Sequence, residues 1–306
     1  MQLLSWLHQR TTGRPQTRHT PARKPAPRFR PRLETLERRD VPSTLTVTSP
    51  ADSGAGTLRA DVAAAGSGDT IVFDPSLNGQ TIALTSGQIA ISKNLTIQGP
   101  GAGQLTISHN AYTPASRIFE VDAAAVTISG LTLSNGYDNT YSGGGAILNR
   151  GLLNVSDCTL SNNHAYSFGG AIDSQGGLTV SGCTFTGNRA GEGGALFIGW
   201  GTATVSGSTL SGNSATYTDG SPYLGVGGAI YNQGDLTLLG TTVTRNTSAS
   251  VGRGGGIFFN ANARGAKLNI AGKSVVTGNR IYDLFFPLGP NSVTISSDSV
   301  VGQIGR

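Results

Sequence analysis

A chain of 306 residues can hold one or two domains with a sizeable buried core. Its charge is uneven: residues 1–40 carry ten Lys/Arg against three Asp/Glu, a net of +7, and the other 266 carry twelve against fourteen, a net of −2. The basic balance thus belongs to one end and gives the folded part no nucleic-acid footprint; 45 glycines without a Gly-X-Y period exclude collagen, and no run of about 18 apolar residues offers a membrane-spanning helix.

In chain order, residues 1–44 are rich in proline and arginine and poor in core-forming side chains, the composition of a disordered basic leader. Their one apolar run, Leu3-Leu4-Ser5-Trp6-Leu7, is too short for the core of a standard secretory signal. The stretch Leu33-Glu34-Thr35-Leu36-Glu37-Arg38-Arg39-Asp40-Val41-Pro42 resembles the Leu-Glu-x-Leu-Glu-x-Arg-x-x-Pro signature near the start of planctomycete extracellular proteins. That resemblance implies export, to the cell surface or beyond.

Residues 45–92 read as a cap on the domain that fills residues 45–306. Thr57 is placed to N-cap a short helix from Leu58 towards Gly66, with Leu58 and Val62 on one face. Strands are expected at Leu45-Thr46-Val47, Thr70-Ile71-Val72-Phe73 and Thr81-Ile82-Ala83-Leu84.

From Lys93 onwards an apolar–polar–apolar triplet recurs, as in Leu95-Thr96-Ile97, Leu153-Asn154-Val155, Leu178-Thr179-Val180 and Leu236-Thr237-Leu238. In a strand this sends the apolar pair to one face and the Thr or Asn to the other. Between Ser142 and Asn279 two further phrases join it. One is a bulky apolar residue three before an asparagine, ending at Asn163, Asn188, Asn213, Asn246 and Asn279. The other is Gly-Gly-Ala-Ile or a close variant, beginning at Gly144, Gly169, Gly193, Gly227 and Gly254. Three short strands in a period of about 25 residues predict one turn of an all-β, right-handed, single-stranded parallel β-helix. About eight coils fit, stacked about 4.8 Å apart. The segment from Asp283 onwards, which breaks the glycine phrase, is expected to close the far end.

The alternation of Gly-Gly-Ala-Ile with Phe185-Thr186-Gly187-Asn188 and its Leu and Val variants resembles the repeats of polymorphic outer-membrane proteins and related bacterial surface β-helices. Gly54-Ala55-Gly56-Thr57-Leu58-Arg59-Ala60-Asp61 resembles the cap of surface proteins with a Cys-Ser-Leu-Arg-Glu-Ala motif, though Gly-Thr stands for Cys-Ser. The resemblance implies a surface location and names no activity.

The repeated residues are the most site-like and the best explained without a site. Asparagine tolerates a left-handed turn, and stacked amides bond one another, so Asn163, Asn188, Asn213, Asn246 and Asn279 read as structural. Cys158 and Cys183 stand one period apart, where later coils have Ser208 and Thr241; they read as small inward fillers, with a bridge between stacked coils as the alternative. No catalytic, cofactor or metal residue is expected, because the acidic residues form no Asp-Asp pair and the coils lack a Gly-Lys-Ser/Thr loop. The binding surface is expected among Tyr166, Asp173, Arg189, Glu192, Trp200, Tyr217 and Tyr223, with Asp173, Arg189 and Glu192 as a surface ion-pair strip. Two functions compete: a non-catalytic secreted or surface protein binding an extracellular glycan or surface protein, and a polysaccharide lyase or glycoside hydrolase of the pectin-lyase-like fold.

Overall fold

Among the described residues every strand pairs with the strand one coil before or after it, and every pairing is parallel. The computed structural model describes residues 41–109, 116–122, 124–216, 225–249, 253–260, 266–286 and 292–305. These belong to one unit, Asp40–Arg306. The leader expected over residues 1–44 therefore lies, apart from its last four residues, outside the described residues.

Among the described residues the strands stack into three long sheets and a short one. A ten-stranded sheet runs from Thr44–Val47 to Ser292–Ile295 and carries the apolar triplets. A nine-stranded sheet runs from Thr81–Leu84 to Val300–Val301 and carries the residues that lead into the asparagines. The third sheet, also nine-stranded, runs from Ile89–Ile91 to Ile304–Gly305 and carries the Gly-Gly-Ala-Ile phrase. The parallel β-helix is thus borne out, with about nine turns where eight were expected. Three strands per coil needs correcting: in the middle coils a two-residue strand follows the asparagine, giving a fourth sheet of five strands from Tyr137–Asp138 to Thr247–Ser248. So short an element carries no pattern of its own; only its stacking makes it a strand.

The triplets alternate as the period-2 rule requires. Leu153, Val155, Leu178, Val180, Leu236 and Leu238 are buried in one continuous core, while Asn154 and Thr179 are exposed. At the near end the helix Leu58–Ala64 buries Leu58 and Val62 in that core, and Thr57 Oγ1 accepts the Ala60 N–H at 3.3 Å. Asp52 fastens this region to the first coils. Burial alone would raise its carboxyl, but bonds from Ser86, Arg59 and Thr85 take it down to about 2.

The asparagines form a buried amide ladder. Asn163 Nδ2 donates to Asn188 Oδ1 at 3.0 Å, and the Asn188–Asn213, Asn213–Asn246 and Asn246–Asn279 steps are each 2.9 Å. From Asn188 on, each Oδ1 also accepts the backbone N–H of the asparagine one coil earlier, and Asn163 Oδ1 accepts the Gly136 N–H at 2.9 Å. The left-handed turn sits one residue before the asparagine, at Asn162, Gly187, Gly212, Arg245 and Gly278, with φ between 55° and 68°. The turn chemistry was thus assigned to the wrong residue, because an amide in the ladder has to point inward.

The first glycine of each Gly-Gly phrase turns the next corner at positive φ; at Gly169 a Cβ would run into the carbonyl of Ile172.

Among the described residues the last segment prolongs the stack of strands. Leu284–Phe285, Ser292–Ile295, Val300–Val301 and Ile304–Gly305 extend the three long sheets as a further coil, leaving Val300 and Ile304 about half exposed. Asp283 instead ends the ladder: its Oδ1 accepts the N–H and Nδ2 of Asn279 at 2.8 Å, and its Oδ2 accepts the Gln303 N–H at 2.8 Å.

Cys158 and Cys183 are buried free thiols. The Cys158 N–H points at Cys183 Sγ (3.4 Å), and the Cys183 N–H at Ser208 Oγ (3.0 Å), so sulfur and hydroxyl fill one column in turn. The neighbouring thiol and burial push the Cys158 thiol up. We expect Cys183→Ser to change stability by less than about 1 kcal/mol, because the hydroxyl takes over the same acceptor place. Thermal melting checks this, and a larger loss would assign the packing to the sulfur's volume.

Candidate functional site

In each Gly-Gly-Ala-Ile strand the isoleucine or leucine points inward and the next residue points out. The register stacks these outward residues as Glu120, Leu148, Asp173, Phe197, Tyr231, Phe258 and Phe285. Outward does not mean exposed here. Phe197, Tyr231 and Phe258 are buried and join Val226 in a second apolar cluster outside the coil. Their rings contact in series: Phe168–Phe197 at 4.5 Å, Phe197–Tyr231 at 5.3 Å, Tyr231–Phe258 at 5.2 Å and Phe258–Phe285 at 5.5 Å. Corner residues Phe168, Glu192 and Val226, bridged in register, wall one side of this row.

Asp173 is the anomaly of the row. It is fully buried between Leu148 and Phe197, and among the described residues its Oδ1 has no hydrogen-bond partner. Burial pushes its carboxyl up to about 7, against weak help from Gln175, whose Nε2 donates to Oδ2 at 3.4 Å, and from Arg117 and Arg150; Asp138 adds to the rise. Gly143 stands between this carboxyl and a buried ion pair, since a Cβ on Gly143 would lie 2.6 Å from Asp173 Oδ2. In that pair Arg117 Nη2 reaches Asp138 Oδ1 at 2.8 Å and the Gly143 carbonyl at 3.1 Å. Burial raises the Asp138 carboxyl, opposed by bonds from Thr140, Arg117 and Gly143.

The residue two places after Leu148, Asp173, Phe197, Tyr231 and Phe258 forms a parallel column: Arg150, Gln175, Gly199, Gln233 and Asn260. Four have long or polar side chains that lie over the row. Gln233 Nε2 and Asn260 Nδ2 both donate to Tyr231 Oη, at 2.7 and 3.0 Å. Gly199 has none, and a gap opens there. The gap is a cavity of about 250 Å³ lined by Phe168, Gln175, Glu192, Phe197, Gly199, Trp200 and Gln233. Trp200 stands on its rim and is 81% exposed. Two further hollows lie on the outer face of the first sheet, where Gly177 interrupts the column between Leu152 and Thr202, and no aromatic residue lines either.

Asp173 takes no part in the expected surface strip. Asp173 lies under the third sheet's outer layer rather than at the surface, and no ion pair joins it to Arg189 among the described residues. Arg189 Nε instead donates to Thr216 Oγ1 at 2.6 Å. The reason is that Arg189 sits in the short fourth sheet, stacked on His164, whereas Glu192 turns into the corner wall. Tyr166 meets Tyr141 edge-on at 5.5 Å, and Tyr137 stacks on His164 at 4.9 Å; burial, then Arg189, holds that imidazole below its usual value. Of the expected surface residues, Trp200 and Glu192 line the cavity and Asp173 lies behind it; Tyr217 and Tyr223 fall outside the described residues.

Phe168, Gln175, Phe197, Gly199 and Gln233 went unnoticed in the sequence. Reading the residue after each Gly-Gly-Ala-Ile phrase at the repeat period would have exposed the aromatic row and the glycine beside it. Among the described residues no group of three His, Cys, Asp or Glu could hold a metal ion, and no helix is long and apolar enough to cross a membrane. A family model described as "Right handed beta helix region" matches residues 76–248, more than half of the chain. No curated protein matches it.

Proposed function

The chain belongs to the right-handed β-helix family, and from that footing we propose that it is an exported, non-catalytic β-helix protein that binds glycan in the Gly199 cavity. One observation carries this reading: an exposed tryptophan stands over a phenylalanine-floored hollow edged by two glutamines and a glutamate. Sugars present an apolar face to an aromatic ring and hydroxyls to amides, so this set suits a single sugar ring of a longer chain. The export half is supported by the leader's resemblance to planctomycete extracellular proteins and by the likeness of the repeats to polymorphic outer-membrane proteins, an adhesion or envelope role. Fractionation with an antibody to the coils tests it, and recovery in the cytoplasm alone would overturn it.

The lyase or hydrolase reading of the pectin-lyase-like fold has less support. The cavity lining holds one carboxylate, Glu192, where glycoside hydrolysis uses two across the bond. We expect Trp200→Ala to weaken oligosaccharide binding about tenfold, from loss of ring stacking, with no change in melting because the side chain is exposed. Gly199→Gln, which restores the missing member of the column, should block binding as well. Calorimetric titration of both variants against oligosaccharides checks this; wild-type affinity in both would remove the cavity from the function. Release of reducing ends or unsaturated product would restore the enzymatic reading.

A further inference from the structure

We propose that the Gly199 cavity takes the terminal unit of a glycan chain and not an internal one, an inference that rests on the glycan-binding reading above. The cavity is one coil long. Along the solenoid axis Gly199 stacks on Gln175 in the coil before and on Gln233 in the coil after: its N–H donates to Ser174 O, and the Gln233 N–H to Ile198 O, both at 2.8 Å. With coils about 4.8 Å apart, the two glutamine backbones stand only about 10 Å from each other, and their side chains narrow the gap to the width of one ring.

Both lids are tied down, Gln233 the more tightly. Gln175 Nε2 donates to Asp173 Oδ2 at 3.4 Å and Gln233 Nε2 to Tyr231 Oη at 2.7 Å, so each amide is fastened to the row it covers. Beyond them Asn260 Nδ2 bonds the same Tyr231 Oη, and Arg150 is held by Asp122 at 2.9 Å. The covering column is thus interrupted at Gly199 and continues on both sides of it.

Across the axis the hollow is walled as well. On one side stand Phe168 and Glu192, their corners bridged in register. On the other the chain runs on through Trp200 into the strand Thr202–Ser206. Phe197 closes the floor, which leaves the outward direction as the way in.

An internal sugar carries a glycosidic bond at two points of its ring and needs an exit at each; a terminal sugar needs one. At the other point it has a free hydroxyl, which donates and accepts at once. Gln175 and Gln233 match such a group, because each amide keeps one N–H and its carbonyl oxygen after the bonds above.

Calorimetric titration of the full chain with cello-, manno-, xylo- and N-acetylchito-oligosaccharides, each as dimer and hexamer, tests this. In the series that binds, dimer and hexamer should agree within about twofold. A benzyl ether on the outermost unit at one end of the hexamer, or a benzyl glycoside at the other, should weaken binding about tenfold or more, and only one of the two should do so. Gln233→Ala removes an axial wall and continues the hollow over Tyr231, so the hexamer should there exceed the dimer about fivefold, whatever the absolute affinity. Where that variant does not fold, Gln175→Ala opens the opposite side and replaces it. A wild-type hexamer about tenfold tighter than the dimer, full binding of both benzylated hexamers, or a dimer-to-hexamer ratio unmoved in the variant would overturn the terminal-unit reading and leave glycan binding in place. No heat from any series would overturn both.

Discussion

Replacing Asn213 with alanine is expected to destabilise the solenoid by on the order of 4 kcal/mol, a large part of the 5–15 kcal/mol that holds most domains folded. The estimate follows from what the side chain does. Asn213 Oδ1 accepts the Asn188 N–H at 3.0 Å and Asn188 Nδ2 at 2.9 Å, and its Nδ2 donates to Phe185 O at 3.1 Å and Asn246 Oδ1 at 2.9 Å. Alanine removes all four bonds and strands the Asn188 N–H in a place without water, where an unmet donor costs about 1–3 kcal/mol by itself. Aspartate is no rescue, because its second oxygen would face the acceptors Phe185 O and Asn246 Oδ1. Thr204→Ala, on the outer face of the first sheet, provides the control and should move stability by less than about 0.5 kcal/mol. Urea unfolding of the three variants measures this. An Asn213→Ala midpoint equal to that of Thr204→Ala would show that the ladder contributes no net stability.

The ladder also marks the limit of what the sequence discloses. A coil is nearly a local object: its strands, corners and inward residues follow from alternation and from glycine, so the β-helix, the stacked asparagines and the capping helix at Leu58 were legible at the repeat period. The site was not, because it depends on what lies outside the coil. Leu148, Asp173, Phe197 and Tyr231 occupy outward positions, and a period-2 reading sends such residues to solvent. The corner wall of Phe168, Glu192 and Val226 covers them, and no local pattern announces a wall. For the same reason Asp173 was read as one half of a surface ion pair, when its neighbours in the row are apolar. The cavity depends on a missing side chain, at Gly199, which carries meaning only once Gln175 and Gln233 are known to stand on either side.

Asp173 leads to the second expectation: Asp173→Asn should stabilise the protein at pH 8 and leave it unchanged near pH 3. The sign follows from proton linkage. An unfolded aspartate ionises near 3.8, whereas burial holds this one protonated up to about 7. Between those values the unfolded chain releases a proton that the folded chain keeps, so folding stability falls as pH rises and levels off above about 7. At about 1.4 kcal/mol for each tenfold difference in proton affinity, the deficit at pH 8 is on the order of 4 kcal/mol. The groups that face it do not offset this: Arg117 is engaged with Asp138, Arg150 with Glu120 and Asp122, and Gln175 offers one long bond. Asparagine keeps the shape and carries no charge, which removes the deficit; Asp173→Leu, matching Leu148 in the row, should gain at least as much. Melting curves from pH 3 to pH 9 should therefore converge for wild type and Asp173→Asn at the acid end and separate by several degrees at the alkaline end. Parallel curves across the whole range would mean that Asp173 reaches water in the folded chain, and the buried carboxyl behind the cavity would then need another description.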